Sequence, residues 1–138
     1  MSNTHQTISD KDFQNQFEKL TLDHQYFDHL GHLRIAWLYL MQSDLEQAVD
    51  STCNGIRSYA ESLGAKDKFN FTISYALVMI ISNRMNAEKQ SNWQNFLNKN
   101  RDLADDALGI LCKHYNKSTL FSEDARKQLI LPDIKDFQ

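Results

Sequence analysis

The sequence predicts an all-α protein, a single-domain bundle of four main helices plus two or three short ones. The 138-residue chain has only 4 glycines and 1 proline, the residues that punctuate short strands and tight turns. Its apolar residues recur at spacings of three and four, which is the period of one face of an α-helix. A hydrophobic share of 41% and a charged share of 24% are typical of a folded domain rather than a disordered chain.

The first helix is predicted to begin after Ser9, whose hydroxyl can accept a hydrogen bond from the first turn. Residues 1–8 are polar and unpatterned, so we expect a disordered tail there and a single helical domain over 9–138. The inward stripe of this helix repeats at spacings of four and three and consists of Phe13, Phe17 and Leu20.

The second helix follows Asp28, a candidate cap, and becomes strongly apolar. Its predicted stripe is Leu30, Leu33, Trp37, Leu40 and Met41. Ser43 and Glu46 have the spacing of a capping box and predict the start of the third helix, which Gly64 ends. The apolar seam of that helix is predicted to be Leu45, Val49, Thr52, Ile56, Tyr59 and Leu63.

The fourth helix is predicted over about 69–85 and contains the apolar run 75–81. A run of seven apolar residues can also form a strand, but its length with flanks and its helical neighbours favour a helix. Because it is apolar nearly all round, we expect it to be the most buried element.

Shorter elements follow the fourth helix. After a loop over 86–92, a short helix carries Trp93, Phe96 and Leu97. A further helix from about Asp102 has a predicted inward face made of Leu103, Ala107, Leu108, Leu111 and Tyr115. Ser122 caps a last short helix through about Leu129, and Pro132 starts an extended tail.

Charge and composition exclude several classes of function. The net charge of −3 argues against a nucleic-acid partner, and acidic residues interrupt the best basic patch, Lys113, Lys117, Arg126 and Lys127. No apolar segment is long enough to span a membrane and the N-terminus lacks the pattern of a signal peptide, so we expect a cytoplasmic protein. Cys53 and Cys112 have no metal-ligand spacing and are predicted to be free, mostly buried thiols.

His29 and His32 are the candidate site. They stand three residues apart, so on a helix they lie roughly 60° apart and can converge on one point. That spacing suits a divalent metal such as zinc or iron, but a metal site needs a third ligand from another segment. The alternatives are a purely structural role at the helix start and a metal-free polar pocket.

The chain resembles a family of small, uncharacterised bacterial all-helical proteins. The family pattern has an early H-x-x-HLR-x-AW segment and a late HY segment with a PD[LI] tail. The matching residues here are His29, His32, Leu33, Arg34, Ala36 and Trp37, then His114, Tyr115, Pro132, Asp133 and Ile134. The resemblance implies an all-helical fold and no particular activity.

The family pattern also has a middle segment like K-[YF]-H-E-T that opens a central helix, and this chain departs from it. Lys68, Phe69 and Thr72 fit it, but Asn70 and Phe71 stand where the family pattern has a histidine and a glutamate. If those two family residues are metal ligands, this chain lacks an imidazole and a carboxylate, because an amide ligates weakly and phenylalanine not at all. The departure lowers the expectation of a metal.

These observations predict a pocket at the start of the second helix that binds a small polar or anionic molecule. Its predicted residues are His29, His32 and Arg34, with Asn70 and Thr72 opposite. Two alternatives remain open. One is a homodimeric interaction module, because residues 75–81 and Trp93 offer more apolar surface than a small bundle must bury. The other is an enzyme that uses the His29/His32 pair with a metal, or one of these histidines as a general base.

Overall fold

A computed structural model describes residues 8–88 and 92–137 of the chain. Within these ranges it contains nine α-helices and no strand, which confirms the all-α prediction. The predicted tail, apart from Ile8, and part of the predicted loop over 86–92 lie outside the described residues. The helices are α1 (Asp10–Glu18), α2 (His29–Gln42), α3 (Leu45–Ser62), α4 (Phe71–Ala87), α5 (Trp93–Lys99), α6 (Arg101–Asp105), α7 (Ala107–Leu111), α8 (Lys117–Leu120) and α9 (Glu123–Lys127).

Three long helices, α2, α3 and α4, pack against one another and form the centre of the molecule. Helix α1 packs on α2 and α3, α5 and α6 pack on α2, and α7 and α9 pack on α4. The buried side chains form one continuous apolar cluster. No helix in the described part of the chain has the length and apolarity to cross a membrane.

Helix α2, rather than α4, has the larger buried share. Eight of its 14 residues are buried, against seven of 17 in α4. Helix α2 is covered by α1, α5 and α6 as well as by its two long neighbours. The apolar run of α4 faces inward along most of its length, and Trp93 is buried, so the surplus that suggested a dimer is largely inside the core.

Several predicted core positions are exposed because they lie within or just beyond the terminal turns of their helices, where fewer neighbouring elements cover them. Leu20 lies beyond α1 with a φ of 61°, and it is exposed together with Met41, Leu45, Leu63 and Leu108. The predicted cap of α3 was also wrong. Asp44, not Ser43, accepts the hydrogen bond from the first turn, at 2.8 Å from the backbone nitrogen of Gln47.

The helix predicted from about Asp102 is divided into α6 and α7. Asp106 ends the first and caps the second, since its Oδ1 accepts from the backbone nitrogen of Gly109 at 3.1 Å. Both cysteines are free thiols, Cys53 buried and Cys112 half-buried.

Side chains of α4 and of the turn after α7 hold the C-terminal segment, residues 128–137. The phenol of Tyr115 donates to the carbonyl of Ile130 at 2.7 Å, and the amide of Asn83 donates to the carbonyl of Phe137 at 2.6 Å. The Phe137 ring lies 5.8 Å from the Tyr75 ring and 5.0 Å from the His114 ring, measured between centroids. The extended tail predicted after Pro132 is therefore anchored along α4.

Candidate functional site

The first turn of α2 is set by two backbone constraints. Asp28 caps the helix, its Oδ1 accepting from the backbone nitrogen of Gly31 at 3.0 Å. Gly31 lies so close to the carbonyl oxygen of Tyr26 that a β-carbon there would clash with it. The cap and the glycine together seat the start of α2 against the preceding turn, and this placement puts His29 and His32 on the same side of the helix.

His29 is exposed but anchored across the molecule. Its Nε2 lies 2.8 Å from the carbonyl oxygen of Leu103 in α6. A carbonyl oxygen only accepts hydrogen bonds, so Nε2 carries the proton. In the neutral ring, Nδ1 therefore has a free lone pair.

His32 is half-buried and has the opposite tautomer. Its Nδ1 lies 3.0 Å from the carbonyl oxygen of Asp28, so Nδ1 carries the proton and the neutral ring has its lone pair on Nε2. Its ring packs against Phe27, with centroids 4.4 Å apart. Burial lowers the pKa of His32 below its ordinary value, against the raising effect of the Asp28 carbonyl, and the neighbouring His29 lowers it further.

Both rings line an open cleft of about 510 Å³, which we call the histidine cleft. Its remaining walls come from α4, α7 and the turn after α8, and they are mainly apolar. The full lining is Phe27, Asp28, His29, His32, Ile73, Leu77, Ala107, Leu108, Leu111 and Phe121. The volume falls in the range of small-molecule sites, about 300–1,000 Å³.

Arg34 does not line the histidine cleft. Its side chain is 4% exposed and extends to α1, where Nη2 lies 2.7 Å from Asp10 Oδ1 and 2.9 Å from the Ile8 carbonyl oxygen. The guanidinium also lies over the Phe13 ring, 4.6 Å from its centroid. Arg34 thus ties α2 to α1, as an inward arginine must when it is buried.

Asn70 and Thr72 do not line the histidine cleft either. Asn70 caps α4, accepting from the Ile73 nitrogen at 3.0 Å, and its amide donates to the Leu120 carbonyl at 2.8 Å. The Thr72 hydroxyl donates to the Gln128 carbonyl at 2.7 Å and accepts from the Ile130 nitrogen at 3.0 Å. Of the five predicted site residues, the fold brings only the two histidines together.

The described residues supply no third ligand for a metal. Within residues 8–88 and 92–137, no group of three or more histidine, cysteine, aspartate or glutamate side chains is placed to hold a metal ion. A zinc site ordinarily needs at least three protein ligands. The predicted zinc or iron site at His29 and His32 has no further support from this arrangement.

The apolar walls of the histidine cleft were not predicted as site residues. Ile73 and Leu77 resemble ordinary core positions in a helix, and Leu108 was predicted to face the core. Phe121 belongs to no periodic pattern. A cleft between three elements depends on how they pack, and no local sequence signal encodes it.

The comparisons with known proteins give no relative from which a function could be inferred, so function is inferred from the site. No family model, no curated protein and no solved structure matches this chain.

Proposed function

We propose that this protein binds a small molecule in the histidine cleft, and that the ligand has a largely apolar body and a hydrogen-bond donor. The observation that carries the proposal is the pair of imidazole tautomers. The backbone bonds of His29 and His32 each occupy the protonated nitrogen, so each neutral ring keeps one accepting nitrogen, and both residues line the apolar cleft.

This arrangement favours an uncharged polar ligand over an anionic one, the other kind of ligand that the sequence predicted. Arg34, the predicted anion partner, is engaged with Asp10, and the acidic residue Asp28 lines the histidine cleft. Burial also keeps the His32 pKa low, so the neutral ring accepts a hydrogen bond rather than attracting an anion. A phenol, an indole or an alcohol on a ring system has the required combination of apolar body and donor.

The test compares 2-naphthol with 2-methoxynaphthalene, which has the same rings but no donor. Each compound is titrated into the isotope-labelled protein, and its binding is followed by the amide chemical shifts of the protein. We expect 2-naphthol to bind roughly tenfold more tightly, the worth of one hydrogen bond in an apolar site. His29→Phe and His32→Phe should each reduce that difference, and the double variant should abolish it, while binding of the methoxy compound stays unchanged.

The same substitution at His24 is the control, because that side chain is 83% exposed and lies outside the histidine cleft. His24→Phe should leave both affinities as they are. Equal binding of the two compounds by the unmodified protein, or shifts that map away from the cleft, would refute the proposal.

A second copy of this chain is the alternative occupant of the histidine cleft. Leu108 is 39% exposed and Phe121 54% exposed, and both line it. Exposed apolar side chains around a cleft favour a protein contact. Sedimentation velocity tests this candidate: a dimer that Phe121→Ser converts to a monomer supports it, and a monomeric wild type rejects it.

A further inference from the structure

A second cleft lies where the turn Lys66–Lys68 meets α3 and α9. Its volume is about 430 Å³, and we call it the charged cleft because six of its seven lining residues are ionisable: Arg57, Glu61, Lys66, Asp67, Arg126 and Lys127, with Phe69 as the seventh. Cations outnumber carboxylates four to two, although the whole chain has a net charge of −3. We propose that the charged cleft binds a small organic oxyanion, a phosphate or carboxylate group on a flat apolar body.

Arg126 provides a preoriented cation. Its Nε and Nη2 both donate to the Glu123 carboxylate, and its Nη1 donates to the backbone carbonyl of Asp67 at 2.9 Å. A guanidinium has five N–H donors in a rigid plane, so three bonds fix its orientation and two donors remain. Fixed donors lose little conformational entropy when they bind an oxyanion.

Arg57 and Lys66 supply positive charge that no carboxylate of residues 8–88 or 92–137 pairs with. Arg57 donates to Asn54 Oδ1 at 2.6 Å, although Glu61 lies one turn further along α3. In the described part of the chain, neither cation has a carboxylate within ion-pair distance. Both are therefore available to an incoming anion.

Phe69 and the two carboxylates define the rest of the ligand. Phe69 is buried against the core and offers an apolar surface in the cleft, and a cleft of this volume has room for a ring as well as an anionic group. Glu61 and Asp67 oppose negative charge. The anionic group is therefore expected to contact Arg57, Lys66 and Arg126 rather than these two carboxylates.

The experiment titrates phenyl phosphate, benzoate and benzyl alcohol into the isotope-labelled chain, in separate samples at a constant ionic strength of about 0.15 M, where the Debye length is about 8 Å. Amide chemical shifts report both the affinity and the location. We expect saturable binding of at least one anion with shifts around residues 57–69 and 123–127, and no binding of the neutral alcohol. The tighter anion identifies the preferred head group.

Two lysines in one turn give a matched pair of variants. Lys66 lines the charged cleft and Lys68 does not, and both are exposed. Lys66→Gln should weaken anion binding roughly tenfold, the effect of losing one charge-assisted hydrogen bond. Lys68→Gln removes the same charge from the protein and should change affinity less than about twofold, since exposed charges at a distance are screened.

Glu61→Gln changes affinity in the opposite direction. Removing a carboxylate from the lining should tighten anion binding a few-fold, a result that a misfolded variant cannot produce. Binding that Lys66→Gln and Lys68→Gln weaken equally would reveal only a general charge effect and would overturn the proposal. So would the absence of saturable shifts at these residues with both anions.

Discussion

Two buried threonines provide a direct test of the hydrogen bonds that hold the C-terminal segment. The Thr72 side chain is fully buried, and its hydroxyl bonds both the Gln128 carbonyl and the Ile130 nitrogen. Thr52 is 1% exposed, and its hydroxyl has no hydrogen-bond partner among the described residues. Threonine and valine have nearly the same shape, so Thr72→Val and Thr52→Val remove the same hydroxyl from two different environments.

The expected free-energy changes have opposite signs. Thr72→Val leaves a backbone donor and a backbone acceptor without their partner, each worth about 1 kcal/mol or more. Gln128 is exposed and Ile130 half-buried, so water relieves part of the cost and we expect a loss of about 2 kcal/mol. Thr52→Val removes a buried hydroxyl that pays a desolvation penalty without a bond, and it should stabilise the protein by about 1 kcal/mol.

Urea unfolding of both variants measures the difference, which should be about 3 kcal/mol. Hydrogen exchange then localises it: Thr72→Val should speed exchange in residues 128–137, and Thr52→Val should not. Thr72→Ser, which keeps the hydroxyl, should retain protection of that segment. If the two valine variants have equal stability, the Thr72 hydroxyl does not hold the segment and the reasoning is wrong.

Two further predictions concern the start of α2. Burial lowers the His32 pKa below its ordinary 6.5. Below about pH 6.5 the unfolded chain therefore binds more protons than the folded protein, and stability falls as the pH falls. His32→Gln should flatten this decline, which is measured as the urea midpoint between about pH 7.5 and 5.5. An unchanged slope would contradict the assignment. Gly31→Ala forces a β-carbon against the Tyr26 carbonyl and should cost roughly 2–3 kcal/mol in urea unfolding. Gly109→Ala is the control: it displaces only the Asp106 side chain and should hardly change stability, because the higher helix propensity of alanine offsets the lost cap. Equal losses of stability in the two alanine variants would contradict this explanation.

The helical period was sufficient to predict the long helices and much of the core. Phe13, Phe17, Leu33, Ile56 and Tyr59 are buried as their spacing indicated. The predicted caps Ser9, Asp28 and Ser122 are also confirmed, since each side chain accepts a hydrogen bond from the first turn of its helix. The exception is the cap of α3. Asp44 and Ser43 are adjacent and both have capping side chains, so which one caps α3 depends on the backbone geometry of the turn from α2.

The candidate site was also predicted only in part from the sequence. The i, i+3 spacing on one helix identified the neighbouring imidazoles of His29 and His32, because a regular helix brings such residues together wherever it packs. Arg34, Asn70 and Thr72 share the polar character of those histidines, yet they bond to α1, to the carbonyl of Leu120 and to the C-terminal segment. These partners lie far away in the sequence, so a local pattern does not reveal them.

By itself, the sequence determined the class of fold, the principal helices and the pair of histidines, because each follows from interactions between residues a few positions apart. Only the tertiary structure decided which nitrogen of the His29 imidazole is free, since the Leu103 carbonyl comes from another helix. It also decided the apolar walls of the histidine cleft and the grouping of Arg57, Lys66 and Arg126. Such sites arise where distant segments pack, and packing depends on the whole chain at once.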